Sequence, residues 1–172
     1  MKYKNCALLL LSLLPVNPAR ADWIDDALLF AGGLAAGFVV HELGHELAAR
    51  AYGEKLEWYD GKLTCRWPCH DLDKIALAGN LATAITGEIL LHTQYRNTFV
   101  DGVQTFNTVN PISYAYKDSV TPGGYGDYAN VNDTTQIALA IHAASIGYRH
   151  VAGGKWRFDI AGRRVQWSIN FF

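Results

Sequence analysis

From Ala27 to Val40 the chain carries no charged or strongly polar side chain, and it continues without a break into His41-Glu42-Leu43-Gly44-His45-Glu46 before the apolar run closes at Ala51. This stretch constrains the fold more than any other. As a helix it is long enough to cross the roughly 30 Å hydrocarbon core of a bilayer with some tilt, and Gly53 supplies a stop. Asp25 and Asp26 suit its N-terminus, where the helix dipole attracts carboxylates. Gly32, Gly33 and Gly37 would weaken a solvated helix, yet such small residues let packed helices approach closely. Two histidines and two glutamates in so apolar a helix are expensive unless a metal, water or partner side chain compensates them.

A second apolar segment, Ile75 to Leu91, is again rich in small residues and sits at the lower edge of spanning length. Thr134 to Tyr148 reads as a third helix, less apolar because it holds Gln136 and His142. The intervening Arg96 to Asn132 is dense in Asn, Gly, Pro, Thr and Tyr and reads as a long loop or re-entrant segment. In the tail, Trp156 to Ile160 and Val165 to Phe171 alternate apolar with polar residues around Ala161-Gly162, a β-hairpin pattern. The expected fold is therefore mainly α: a small membrane-embedded helical domain of about three core helices with a short C-terminal β-hairpin.

The first residues read as an export signal. Lys2 and Lys4 precede the apolar run Cys6 to Leu14, and Ala19-Arg20-Ala21 matches a cleavage pattern. Pro15 and Pro18 interrupt a run already short for an uncleaved span. The expected organisation is a signal peptide over 1–21 and one domain over 22–172, a size suited to a single core.

Only 18% of residues are charged and half are hydrophobic, more apolar than an average soluble domain. With 15 basic and 16 acidic side chains there is no electrostatic footprint for nucleic acid. Five Lys/Arg fall between Arg50 and Lys74, two between Thr93 and Asp133, and five from Arg149 onward. Because positive residues favour the cytoplasmic side, three spans would put residues near Asn107 outside, and those near Lys62 and the tail inside. The expected location is a membrane reached through the secretory pathway, such as a bacterial inner membrane; a periplasmic or secreted protein is the alternative. Cys65 and Cys69 would pair in an oxidising compartment, but the charge distribution places them inside and reduced. With His70 they make too short a cluster to be recognised as a second metal site.

On a helix, His41 and His45 share one face and can bind one zinc ion, while the adjacent Glu42 acts on the water that zinc makes acidic. Glu88, on the second apolar segment, is a candidate third ligand of the His₂Glu kind found in soluble peptidases. Its other reading is a polar contact between helices. His92, His142 and His150 lack a companion at ligand spacing and read as interfacial or hydrogen-bonded histidines.

The run Val39-Val40-His41-Glu42-Leu43-Gly44-His45-Glu46-Leu47-Ala48-Ala49-Arg50-Ala51-Tyr52-Gly53 closely resembles the signature helix of the site-2 protease family of intramembrane zinc metallopeptidases. Ala78-Gly79-Asn80-Leu81-Ala82-Thr83 is similar to that family's Gly-Pro-Leu-Ala-Asn stretch, with Asn80 at the Pro position and Thr83 at the Asn position. Asn110-Pro111 followed by Asp127 resembles its Asn-Pro…Asp-Gly element, although Tyr128 follows Asp127. The resemblance implies zinc held by His41, His45 and Asp127, Glu42 as general base, and peptide or membrane-protein substrates met among membrane lipid. An exported soluble or peripheral zinc peptidase and a noncatalytic membrane scaffold remain as alternatives.

Overall fold

The computed structural model describes residues 23–59, 62–65, 69–93, 96–122, 131–153, 156–160 and 163–167. The expected signal peptide lies outside them, as does Asp127. The described helices are α1 (Trp23–Ala51), α2 (Leu72–His92), α3 (Thr98–Val120) and α4 (Asp133–Gly153). Strands β1 (Leu56–Tyr59) and β2 (Lys62–Cys65) pair antiparallel between α1 and α2. The C-terminal hairpin pairs β3 (Trp156–Ile160) with β4 (Arg163–Trp167), matching Trp156 to Trp167 and Ile160 to Arg163. The fold is mainly α with a terminal hairpin, as the residue patterns imply, plus a first hairpin that they did not announce.

Contacts between elements set the direction of each helix. His45 meets Ile75 while Gly44 meets Ala78 and Ala82, so α1 and α2 run antiparallel. Gly33 lies against Gly102, Gly37 against Phe106 and His41 beside Asn110, so α1 and α3 run parallel. Gly147 packs on Thr108 and His150 on Asp101, so α4 opposes α3. The bundle thus has one end formed by the C-terminus of α1, the β1–β2 hairpin and the N-terminus of α2. Its far end carries the N-termini of α1 and α3 and the C-termini of α2 and α4.

The closest approach is between α1 and α3. A Cβ on Gly33 would collide with the Phe99 carbonyl and come within 2.9 Å of the Gly102 Cα, while one on Gly102 would strike the Phe30 carbonyl. Backbone touches backbone there, which only glycine permits. At its other end α1 closes on Gly53, whose φ of 75° is left-handed. Glu54 N–H donates to the Ala49 carbonyl at 2.8 Å and Gly53 N–H to that of Arg50 at 3.1 Å, the paired bonds that satisfy a helix's last carbonyls when glycine follows it.

The segment expected as a loop contains α3. Asn97 caps it by accepting a hydrogen bond from Val100 N–H at 2.9 Å, and Asp101 lies in its first turn. Val100, Val103, Asn107 and Pro111 then follow at helical spacing and are all buried. The density of Asn, Thr and Pro that argued for a loop is therefore an interior stripe of a packed helix. Asn107, expected near an exposed outer loop, is 1% exposed inside the bundle.

This fourth helix also changes the charge count. Arg50, Lys55, Lys62, Lys74 and Lys117 belong to the hairpin end, whereas Arg96 and Arg149 belong to the far end, where α4 ends. The tail therefore leaves from the end opposite the first connection, and the three-span count that gave both one side no longer applies. Cys65 and Cys69 are joined in a disulfide, where the charge argument had them reduced.

Beside its apolar core, with Ile75 and Ile146 buried, the bundle buries several polar side chains and exposes large apolar ones. Asn80 and Thr83 are 0% exposed and Gln104 1%, while Leu28 and Leu47 are 66% exposed, Ile85 60% and Ile141 65%. Two helices, α1 and α2, are long and apolar enough to cross a membrane.

Candidate metal centre

His41 and His45 lie one turn apart on α1 and face inward, 2% and 5% exposed. Their Nε2 atoms are 3.1 Å from one another. Two nitrogens bound at 2.0–2.1 Å to one tetrahedral zinc stand about 3.3 Å apart, so the rings already have nearly the separation that shared coordination requires. His45 Nδ1 is 2.7 Å from the Ile75 carbonyl in the first turn of α2. A carbonyl only accepts, so Nδ1 carries the proton and the Nε2 lone pair is turned toward His41. Metal-ligating histidines are commonly held in one tautomer by this kind of outer contact.

His41 is fixed mainly from α3. Its ring stacks beside Tyr114 at 6.3 Å with 23° between planes, and meets Phe106 edge-on at 6.1 Å. Asn110 Nδ2 is 3.5 Å from His41 Nδ1. With Nδ1 protonated and Nε2 given to a metal, the same amide turned over presents its oxygen as acceptor. Phe106, Asn110 and Tyr114 step by four along α3 and so share one face.

Helix α2 supplies the space between the rings and their surroundings. A Cβ on Gly79 would fall on His45 Nε2 and lie 2.9 Å from His41 Cε1. Bare backbone is needed where the two nitrogens converge. Gly44, inside the histidine motif, does the same for the helix pair, since a Cβ there would be 2.5 Å from the Ala78 carbonyl oxygen. The donor set and this cradle fit a zinc ion bound by two imidazoles from one side. Glu42 is half-buried next to His41, whereas Glu46 is drawn to Arg50 at 2.7 Å.

The structure does not bring Glu88 to the histidines. It lies nine residues beyond Gly79 on α2, about 13 Å along a helix. There both carboxylate oxygens accept from Arg149, one of them at 3.0 Å, and His142 Nε2 stands 3.3 Å away. His92 Nδ1 lies 2.8 Å from the Glu88 carbonyl, and His150 bonds to Asp101 at 2.8 Å.

Asn110 was singled out only as part of the Asn-Pro…Asp element, with no contact to His41 expected, and Tyr114, Phe106 and the Ile75 carbonyl were absent from the residues singled out for the site. The four-residue step of the three α3 side chains was visible, but only to a reading that took their segment as a helix. Comparison with known protein families, characterised proteins and solved structures gives no match.

Proposed function

We propose that this protein is a zinc-dependent endopeptidase that hydrolyses peptide bonds in or near a membrane. The observation that carries the reading is the pair of Nε2 atoms 3.1 Å apart, one of them held in its tautomer by the Ile75 carbonyl. His41 and His45 would hold the metal, with Asp127 as third ligand. Zinc, when bound, supplies Lewis acidity that brings a water's pKa toward neutrality and polarises a substrate carbonyl.

The chain's own groups divide the remaining work. Glu42 takes the proton of the attacking water and passes it to the departing amine nitrogen. Ile75 and Asn110 orient the two imidazoles, and Phe106 and Tyr114 keep the His41 ring from rotating away. The outward Leu28, Leu47 and Ile85 suit α1 and α2 to lipid, which makes a peptide or membrane-protein segment the substrate. Access is through a membrane reached by the secretory route.

Metal analysis of the purified protein tests the reading. About one zinc per chain is expected at this centre, retained in Glu42→Gln and lost in His41→Ala/His45→Ala. Under a chelator, Asp127→Ala should lose zinc faster than wild type while Glu88→Ala keeps it. Retention in Asp127→Ala with loss in Glu88→Ala would remove the assigned third ligand. Unchanged stoichiometric zinc in the double histidine variant would remove the centre.

A further inference from the structure

We propose that Glu54, Cys65 and Cys69 form a second metal site, distinct from the histidine centre, which takes a thiophilic divalent cation such as zinc when the Cys65–Cys69 disulfide is reduced. The ligand atoms of the three residues all lie within 4.8 Å of one another, and all three residues are half-buried. The cysteine Cα atoms are 6.1 Å apart, close enough for both sulfurs to reach one ion.

Glu54 does not drift into this position. Its backbone is locked to the end of α1 by the hydrogen bond to Ala49, and its Oε1 accepts from His70 N–H at 3.0 Å. The carboxylate is thereby aimed across the hairpin at residues flanking the start of α2. A disulfide alone requires no carboxylate beside it. Two thiolates and a carboxylate do form a three-ligand tetrahedral set, with the fourth position open to water, and the thiolates select zinc-like ions over magnesium or calcium.

The compartment supplies the second argument. The inference rests here on the proposed secretory route: with the expected leader cleaved before Asp22 and α1 crossing the membrane once, the hairpin lies on the cytoplasmic side. Thiols are kept reduced there. A dithiol of the compartment opens the bond by exchange: its two sulfurs become a disulfide, and Cys65 and Cys69 each gain one hydrogen. Binding of the cation then displaces both thiol protons to solvent. The corner joining α1 to α2 is held covalently when oxidised and by the metal when reduced. That corner lies next to the contact between His45 and Ile75.

Cobalt(II) titration of the purified full-length protein tests this, with a phosphine reductant that does not compete for the ion. The His41→Ala/His45→Ala background removes the other centre. Reduced protein should develop a thiolate-to-cobalt charge-transfer band that zinc bleaches, and oxidised protein should not. The band should vanish in Cys65→Ser/Cys69→Ser. Glu54→Gln should weaken cobalt affinity by no less than the roughly 10- to 100-fold that even an outer-shell partner contributes. Circular dichroism checks that each variant stays helical. No band in reduced, helical protein overturns the site, as does a band that survives loss of both cysteines. Unaltered affinity in Glu54→Gln overturns the three-residue assignment.

Discussion

The two ends of the bundle both bury histidine, but they use it differently. At the far end His150 is 5% exposed, and its ring nitrogens are taken by strong side-chain partners. Nε2 meets Asp101 at 2.8 Å and Nδ1 meets Arg96 at 3.0 Å. Toward the hairpin end His45 is buried to the same degree, yet it engages one nitrogen with a backbone carbonyl and turns the other to a second imidazole. Burial alone therefore does not distinguish a structural histidine from a metal ligand; the chemistry of the partners does. Glu88 makes the same point for carboxylates, since its guanidinium partner accounts for its place on α2.

The strongest test of this contrast is the loss of ligands. His41→Ala/His45→Ala should abolish peptide cleavage and the zinc binding of the oxidised protein, whereas His150→Ala should keep stoichiometric zinc. Zinc loss in His150→Ala with retention in the double variant would reverse the roles of the two ends. Next in size, Glu42→Gln should lower the rate of cleavage by about 10²- to 10⁴-fold, the usual contribution of a general base, with zinc content unchanged. Cleavage at the wild-type rate would dismiss Glu42 from proton transfer.

Gly79→Ala separates helix stability from the metal site. Alanine in place of a mid-helix glycine favours the helix by about 1 kcal/mol, but its methyl group would enter the space between the imidazoles. Zinc affinity should fall about tenfold or more without a loss of thermal stability. Unaltered affinity would show that the rings do not bind at that point. His150→Ala is expected to destabilise the fold by about 1–3 kcal/mol, because Asp101 and Arg96 lose a buried partner; an unchanged Tm in detergent would contradict the structural role. The smallest effect belongs to Asn97→Ala, which removes the cap of α3 and should cost about 1 kcal/mol. No change in stability there would call the capped start of α3 into question.

Residues with a local physical signal were legible in the chain. The apolar run, the four-residue step of His41 and His45, the stop at Gly53 and the alternation in the tail all depend on period and on single-residue conformational preference. Helix α3 was not legible, because Asn107, Asn110 and Pro111 carry loop propensity, and their burial against α1 overrides it. The count of helices then decides on which side every later charge falls, so one misread segment removed the basis for orientation. The cysteine pair shows the same dependence, since spacing allowed a bond but only the folded chain brought the sulfurs together with Glu54.

The sequence by itself determined that two imidazoles and a carboxylate share one apolar helix, because covalent spacing and the pitch of an α-helix leave no other outcome. Only the tertiary structure decided what faces them. Helix α2 brings a carbonyl to His45 and a glycine to the gap between the rings, and α3 brings an amide and two aromatic rings to His41. It also drew Glu88 away to Arg149. These partners lie 30 to 73 residues from the histidines they contact. Such contacts depend on how helices pack, a property of the whole bundle that no local pattern encodes.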